Sequence, residues 1–375
     1  VQATPTVAPE AVRPPVATPA PRNTAVDCYR GFVMLLMMAE VLQLSRVAHA
    51  FPGNPFWNAL AWNQSHVPWA GCSLHDTIQP GFSFLVGVAL PYSIAARIAR
   101  GGTFRGMLGH AMRRSLILIA LGIFLRSMRG PITYFTFEDT LTQIGLGYTF
   151  LFLLGFASNR VRWWALAAIL VGYWLAWMIY PAPHWAKDHN LGVAFDQWFL
   201  NLFPRTERFV VNGGGYLTLS FIPTLGTMIL GLLAGDWLHS ARPRIPYRKL
   251  LAAGAIGLAA GAILHFTGIC PVVKRIWTPS WTLFSGGLCF VYLAAFCRMP
   301  RLSPLLVIGM NSIAAYLVAE MLRGFVSDSF RIHLGAHFFG FFGAGLEPLV
   351  RGCAILGVYW LALFWMYRRK IFLRI

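Results

Sequence analysis

The 375 residues carry a formal charge of +18, yet only 12% of them are charged and 57% are hydrophobic. That leaves too little polar surface to cover a soluble globule of this mass, so lipid must be the main solvent and an all-α, polytopic transmembrane helix bundle is expected. The Lys and Arg residues punctuate apolar runs instead of gathering on one polar face, which excludes nucleic acid as a partner and gives the positive-inside pattern of a chain that crosses a bilayer repeatedly.

In chain order, residues 1–23 are rich in Pro and Ala and read as a disordered tail, and 24–375 as a single transmembrane domain. About ten apolar runs long enough to span follow, near 29–48, 77–96, 112–130, 138–157, 162–181, 217–238, 250–268, 280–297, 304–322 and 347–367. The short loops sort by charge. Arg97, Arg100, Arg105, Arg113, Arg114, Arg160 and Arg162 fall on one side with Arg242, Arg244, Arg248, Lys249, Arg298, Arg301 and the basic ending at Arg368, Arg369 and Lys370. An even number of spans with both termini cytoplasmic satisfies that bias. The phenylalanine-rich run 338–346 is apolar enough for a re-entrant segment. Two segments on the other side, 50–76 and 182–216, are too long to be simple connectors and combine Trp, His and Gly with carboxylates, which suits a polar substrate beside the membrane. No internal repeat is visible, which weighs against an inverted-repeat transporter, although proton-coupled transport of sugars or lipid-linked precursors is the main alternative to an enzyme. The cysteines at 28, 72, 270, 289, 297 and 353 show no metal-ligand spacing, so no metal site is expected.

His66 stands out in the first long loop, because imidazole exchanges protons near neutrality without special tuning and serves as a general base or an acyl acceptor. A histidine satisfied by a backbone carbonyl is the bland reading. Asp76, followed by Thr77, Ile78 and Gln79, fits a capping box at the start of the second span, or an orienting partner for His66. Glu40 lies deep in the first span, where an ionisable group is costly and usually faces a polar cavity, and there it could pair with His66. Arg46 and Glu320 are weaker candidates of the same kind. Asp27 and Arg30 are spaced to pair across one turn, either as an anchor at the inner face or to offer charge to a phosphate group. Asn311 and Ser312 sit in the ninth span where they could line a ligand path; Asn212, Gly213 and Gly214 form a flexible turn whose amides could face a sugar or an oxyanion; Trp69 and Trp277 are aromatic surfaces at the outer end.

Several of these segments together resemble one family, the heparan-α-glucosaminide N-acetyltransferase-like transmembrane acyltransferases. They are Asp27-Cys28-Tyr29-Arg30-Gly31-Phe32, His66-x-x-Trp69-x-Gly71 with Asp76-x-x-x-Pro80, Leu141-x-Gln143-Ile144-Gly145, Asn212-Gly213-Gly214, Trp277-Thr278-Pro279-Ser280, Gly309-Met310-Asn311-Ser312 and the ending Tyr367-Arg368-Arg369-Lys370. The resemblance implies transfer of an acetyl group from cytoplasmic acetyl-CoA to an extracytoplasmic glycan or amino sugar, with His66 as the active-site histidine, in a bacterial inner-membrane protein that forms a homodimer by analogy. Where the family's lysosomal member has an asparagine late in the first span, this chain offers Glu40 and Val41.

Overall fold

The structure is a computed structural model that describes residues 23–128, 130–299 and 303–373. The proposed tail lies outside them, except for Asn23. Among the described residues fourteen α-helices run in chain order: α1 (Thr24–Met38), α2 (Leu44–Ala50), α3 (Pro55–Asn63), α4 (Ile78–Ile98), α5 (Phe104–Ser127), α6 (Thr140–Gly155), α7 (Asn159–Ile179), α8 (Leu191–Phe199), α9 (Phe221–Ser240), α10 (Tyr247–Phe266), α11 (Pro279–Arg298), α12 (Ser303–Met310), α13 (Ser312–Leu334) and α14 (Glu347–Arg368). Among the described residues the fold is otherwise short 3-10 turns and loops, with one isolated β-bridge between Ala70 and Val273. Helices satisfy their own backbone groups, which is what a chain surrounded by hydrocarbon requires.

Seven helices are long and apolar enough to cross a bilayer, or nine if each of two bent pairs counts as one span. Each expected run coincides with a helix, but α6, at 16 residues, is short for a crossing. The run at 338–346 contains only a 3-10 turn, Phe338–Phe342, with Phe338, Phe341 and Phe342 exposed.

Lipid offers no hydrophobic drive for helix association, so helices must gain contact area by close approach at small residues. Several pairs do so here. Gly87 and Gly231 bring α4 and α9 together backbone to backbone, with Gly235 against Val88; Gly257 and Gly261 seat α10 on α11; Gly31 and Gly309 join α1 to α12. The most enclosed helix is α9, from Pro223 to Leu238, and α5, α7, α10 and α14 turn broad apolar faces outward.

Two of the spans break; an amide side chain stitches the first break, and at the second an amide side chain ties the break to the segment that follows α14. After Met38 the first span tightens into the 3-10 turn Ala39–Leu42, and Gln43 turns left-handed (φ +50°) before α2 continues at a 42° bend. The backbone groups freed by that break meet Gln64, whose Nε2 donates to the Ala39 carbonyl (2.6 Å) and whose Oε1 accepts from the Leu44 amide (2.7 Å). At the second break, α12 and α13 meet at 82° around the buried Asn311. Its Nδ2 donates to the Ile371 carbonyl (2.9 Å) and its Oδ1 accepts from the Leu373 amide (3.0 Å). In lipid, backbone groups freed as at the first break have no water to turn to, so a side-chain amide with both a donor and an acceptor, such as Gln64, is the suitable patch.

The connections divide between the two ends of the bundle. One end holds the tight turns at 99–103, 156–158 and 241–246, and there Arg162 pairs with Asp236 across α7 and α9. The opposite end gathers the long connections, tied by Trp69 Nε1 to the Trp185 carbonyl (3.0 Å) and by Arg205 to the Phe135 carbonyl (2.7 Å).

Candidate active site

His66 sits in the connection between α3 and α4, just beyond the Gln64 stitch, so the break in the first span and the histidine loop are fixed to each other. Asp76 organises the rest of that loop. Its Oδ2 accepts from the Val67 amide (3.2 Å), the Ser73 amide (3.1 Å) and the Ser73 hydroxyl (2.9 Å), while the same hydroxyl also reaches the Ser65 carbonyl (2.6 Å). Its Oδ1 lies 2.8 Å from His66 Nδ1. A carboxylate only accepts, so His66 carries its proton on Nδ1 and Nε2 keeps a free lone pair. Asp76 is 1% exposed. The capping-box expectation is thereby corrected. Asp76 makes no cap bond to α4, and Gln79 donates to Gln143 (3.1 Å) instead of reaching back.

Lys274, from the α10–α11 connection, approaches the same pair. Its Nζ stands 3.1 Å from His66 Nδ1 and 3.3 Å from Asp76 Oδ1, with only 5% of its side chain exposed. Burial pushes the Lys274 ammonium down to about 8, against the opposing pull of Asp76. Burial, together with the charge of Lys274, also moves His66 below its ordinary value, although the hydrogen bond to Asp76 works the other way. The imidazole is therefore neutral at neutral pH. Burial pushes the neighbouring Cys72 thiol up to about 12, so it is no thiolate nucleophile.

His66 forms part of the wall of a cavity of about 420 Å³, whose other lining residues are Glu40, Gln43, Ser45, Arg46, Gln64, His75 and Arg323. The expected Glu40–His66 pair is not what the geometry contains. Glu40 Oε1 is 3.2 Å from His75 Nε2, Arg323 stands 3.9 Å from its other oxygen, and His75 in turn lies against the His66 ring at a 4.6 Å centroid distance. The 3-10 turn is the reason: it rotates Glu40 out of the register a continuous helix would give it. Arg46 donates to Gln43 (2.9 Å). Glu320 lines a second cavity of about 280 Å³, with Arg126, Asp139 and Tyr316, on the same end.

The other expected residues divide. Trp69 is held by Trp185, and its ring packs with Trp177 and Leu217 beside the site. Asn212 caps its own turn by accepting from the Gly214 amide (2.8 Å), Gly213 is exposed at the tip, and the Gly214 carbonyl accepts from Arg275. That turn places the Tyr216 ring 6.5 Å from His66, so it borders the site. Trp277 does not: it is 1% exposed, at φ +48°, with its indole bonded to Thr227 (3.2 Å), and it anchors the fold. Asn311 is buried and bonds the last described residues, Ile371 and Leu373, and Ser312 begins α13. Asp27 and Arg30 do pair, at 2.9 Å, near the start of α1 and so toward the opposite end.

The sequence reading passed over His75, Arg323 and above all Lys274. The available signal for Lys274 was a cation in a short connection on the side where positive charge is scarce. Among the described residues no group of three or more His, Cys, Asp or Glu could hold a metal ion, and all six cysteines are free.

No protein-family model matches the chain. Human heparan-alpha-glucosaminide N-acetyltransferase aligns with it at 22% identity over 95% of this chain and 60% of its own length. The chain is a distant relative of that acetyltransferase. The mouse protein of the same name aligns at 25% identity over 36% of this chain and 20% of its own length. This chain therefore spans about 60% of the length of the human relative it matches. The likeness to an acyl-transferring enzyme and the apolar helices together make it a membrane protein related to transferases.

Proposed function

We propose that the protein is a membrane-embedded acetyltransferase that moves an acetyl group from cytoplasmic acetyl-CoA to an amine or hydroxyl of an extracytoplasmic glycan or amino sugar. The observation that carries this reading is the His66–Asp76 pair at the edge of a cavity, with Nδ1 committed to the carboxylate and Nε2 left free. In acyl transfer, Nε2 takes the proton of the attacking amine as its nitrogen bonds to the acetyl carbon; the thioester C–S bond breaks and the proton passes on to the departing thiolate. Attack by Nε2 itself on the thioester, followed by transfer to the acceptor, needs the same unprotonated nitrogen. The basic end of the bundle, including Arg30, faces the cytoplasm in this reading and receives the nucleotide. The His66 loop faces outward from a bacterial inner membrane.

Purified protein incubated with radiolabelled acetyl-CoA, with and without glucosamine, tests the proposal. Label on the amino sugar is the expected result. Passage of sugar across proteoliposomes with no loss of acetyl-CoA would instead establish a transporter.

Two further outcomes follow from the geometry. Because the base must be unprotonated and His66 titrates below its usual 6.5, activity should be full at neutral pH and fall only as pH drops through that lowered value. A rate profile already declining from pH 8 to 7 would contradict this. Asp76→Asn retains an acceptor for the Val67 and Ser73 amides but no longer holds the imidazole in one tautomer. It should lose on the order of 10²-fold or more in turnover, with a lowered melting temperature because the buried Lys274 ammonium then faces an amide instead of a carboxylate.

A further inference from the structure

Asp76 Oδ1 accepts from two directions, His66 Nδ1 at 2.8 Å and Lys274 Nζ at 3.3 Å. An ammonium group has three donors and no acceptor, so the 3.1 Å approach of Nζ to an Nδ1 that already carries a proton is a meeting of two donors, held together only by the carboxylate between them. Protonating Nε2 would then set an imidazolium directly beside a buried ammonium, in surroundings that screen charge poorly.

The Lys274 segment is also built to stay where it is. The Gly71 amide donates to the Val272 carbonyl (2.9 Å), the Ala70–Val273 bridge extends that contact, and Thr278 Oγ1 accepts from the Val273 amide (3.1 Å). Behind it Arg275 grips the Gly214 carbonyl, and Trp277 is pinned to Thr227.

From this arrangement we infer that Lys274 is a positioning residue for His66, opposing protonation of its ring so that Nε2 is available as a free base. The inference rests on the proposed role of His66 and adds to it a residue that sets the state of that base. The other groups around His66 do not replace Lys274. His75 faces the ring but is engaged by Glu40, Arg323 reaches Glu40, Arg275 is turned to the 212–216 loop, and Tyr216 and Cys72 are uncharged neutral acids near pH 7. Besides Asp76, Lys274 alone among the described charged residues comes within hydrogen-bond distance of the imidazole.

Diethylpyrocarbonate acylates only neutral imidazole, so its rate at His66 against pH, resolved by site with mass spectrometry, reads the ring's titration without any acetyl transfer. In Lys274→Met the midpoint should rise by about one pH unit or more, since Asp76 then acts unopposed; in Lys274→Arg it should stay near the wild-type value. An unchanged midpoint in Lys274→Met, or the same rise in both variants, would overturn the inference. If Lys274→Met is not monodisperse after extraction, Lys274→Gln supplies the same comparison. Because the reagent reports protonation and not catalysis, a protein that acetylates nothing yet shows the shift would refute the proposed function and leave this inference standing.

Discussion

His66→Ala should lower acetyl transfer by at least about a hundred-fold, the usual loss when a well-placed general base or nucleophile is removed. The fold should survive, because Asp76 keeps its bonds to the Val67 amide, the Ser73 amide and hydroxyl, and Lys274 when the imidazole goes. No buried charge is stranded by the change. The measurement is product formed per monodisperse protein under saturating acetyl-CoA, with thermal stability recorded alongside. Activity that persists in His66→Ala and disappears only when His75 is also replaced would transfer the chemical role to the ring 4.6 Å away.

Gly231→Val should prevent the bundle from assembling. A side chain at 231 would run into the Phe84 carbonyl of α4, and the adjoining Phe84 carbon and Cα stand 2.8 and 3.0 Å from the new Cβ position. These are backbone atoms, so no rotamer change makes room, and the α4–α9 pair must separate, shifting the helix that directly follows the Asp76 loop. Overpacking typically costs about 1–3 kcal/mol and more where nothing can yield. Loss of monodisperse protein on extraction, or a large fall in melting temperature, is the expected result. Gly357→Ala, on α14 where an added Cβ meets nothing within 4 Å, is the matched control and should not lower stability, since Ala favours the helix by up to about 1 kcal/mol. Equal behaviour of the two variants would refute the packing argument.

The helices were legible in the sequence because hydrocarbon imposes a long apolar run on each one, and each run is helical in the structure, two of them as bent pairs. The breaks were not. Neither Gln43 nor Asn311 is a Gly or a Pro; the groups freed at the first break are met by Gln64, and the side chain at the second holds the distant segment at Ile371 and Leu373. The same distinction separates the site residues. His66 with Asp76 could be found because ten positions of one loop hold both and the loop folds back upon itself. Glu40 faces a cavity, as an ionisable group in an apolar run should, but its partner there is His75 and not His66, a choice no spacing in the sequence encodes. Trp277 reads as an interfacial aromatic by position, yet its left-handed backbone turns the ring inward to Thr227. Lys274 lies 208 positions from His66, and no local pattern encodes a meeting over that distance.

That separation governs how the protein is made. During synthesis the loop bearing His66 emerges long before the α10–α11 connection exists, so an interrupted product holds Asp76 with its neighbouring amides but without its ammonium partner. The contacts of Lys274 with His66 and Asp76 can form only once the α10–α11 connection has been made. Two co-expressed fragments divided at the turn between α9 and α10 would each bring one half of the constellation, making restored activity a direct report of their docking.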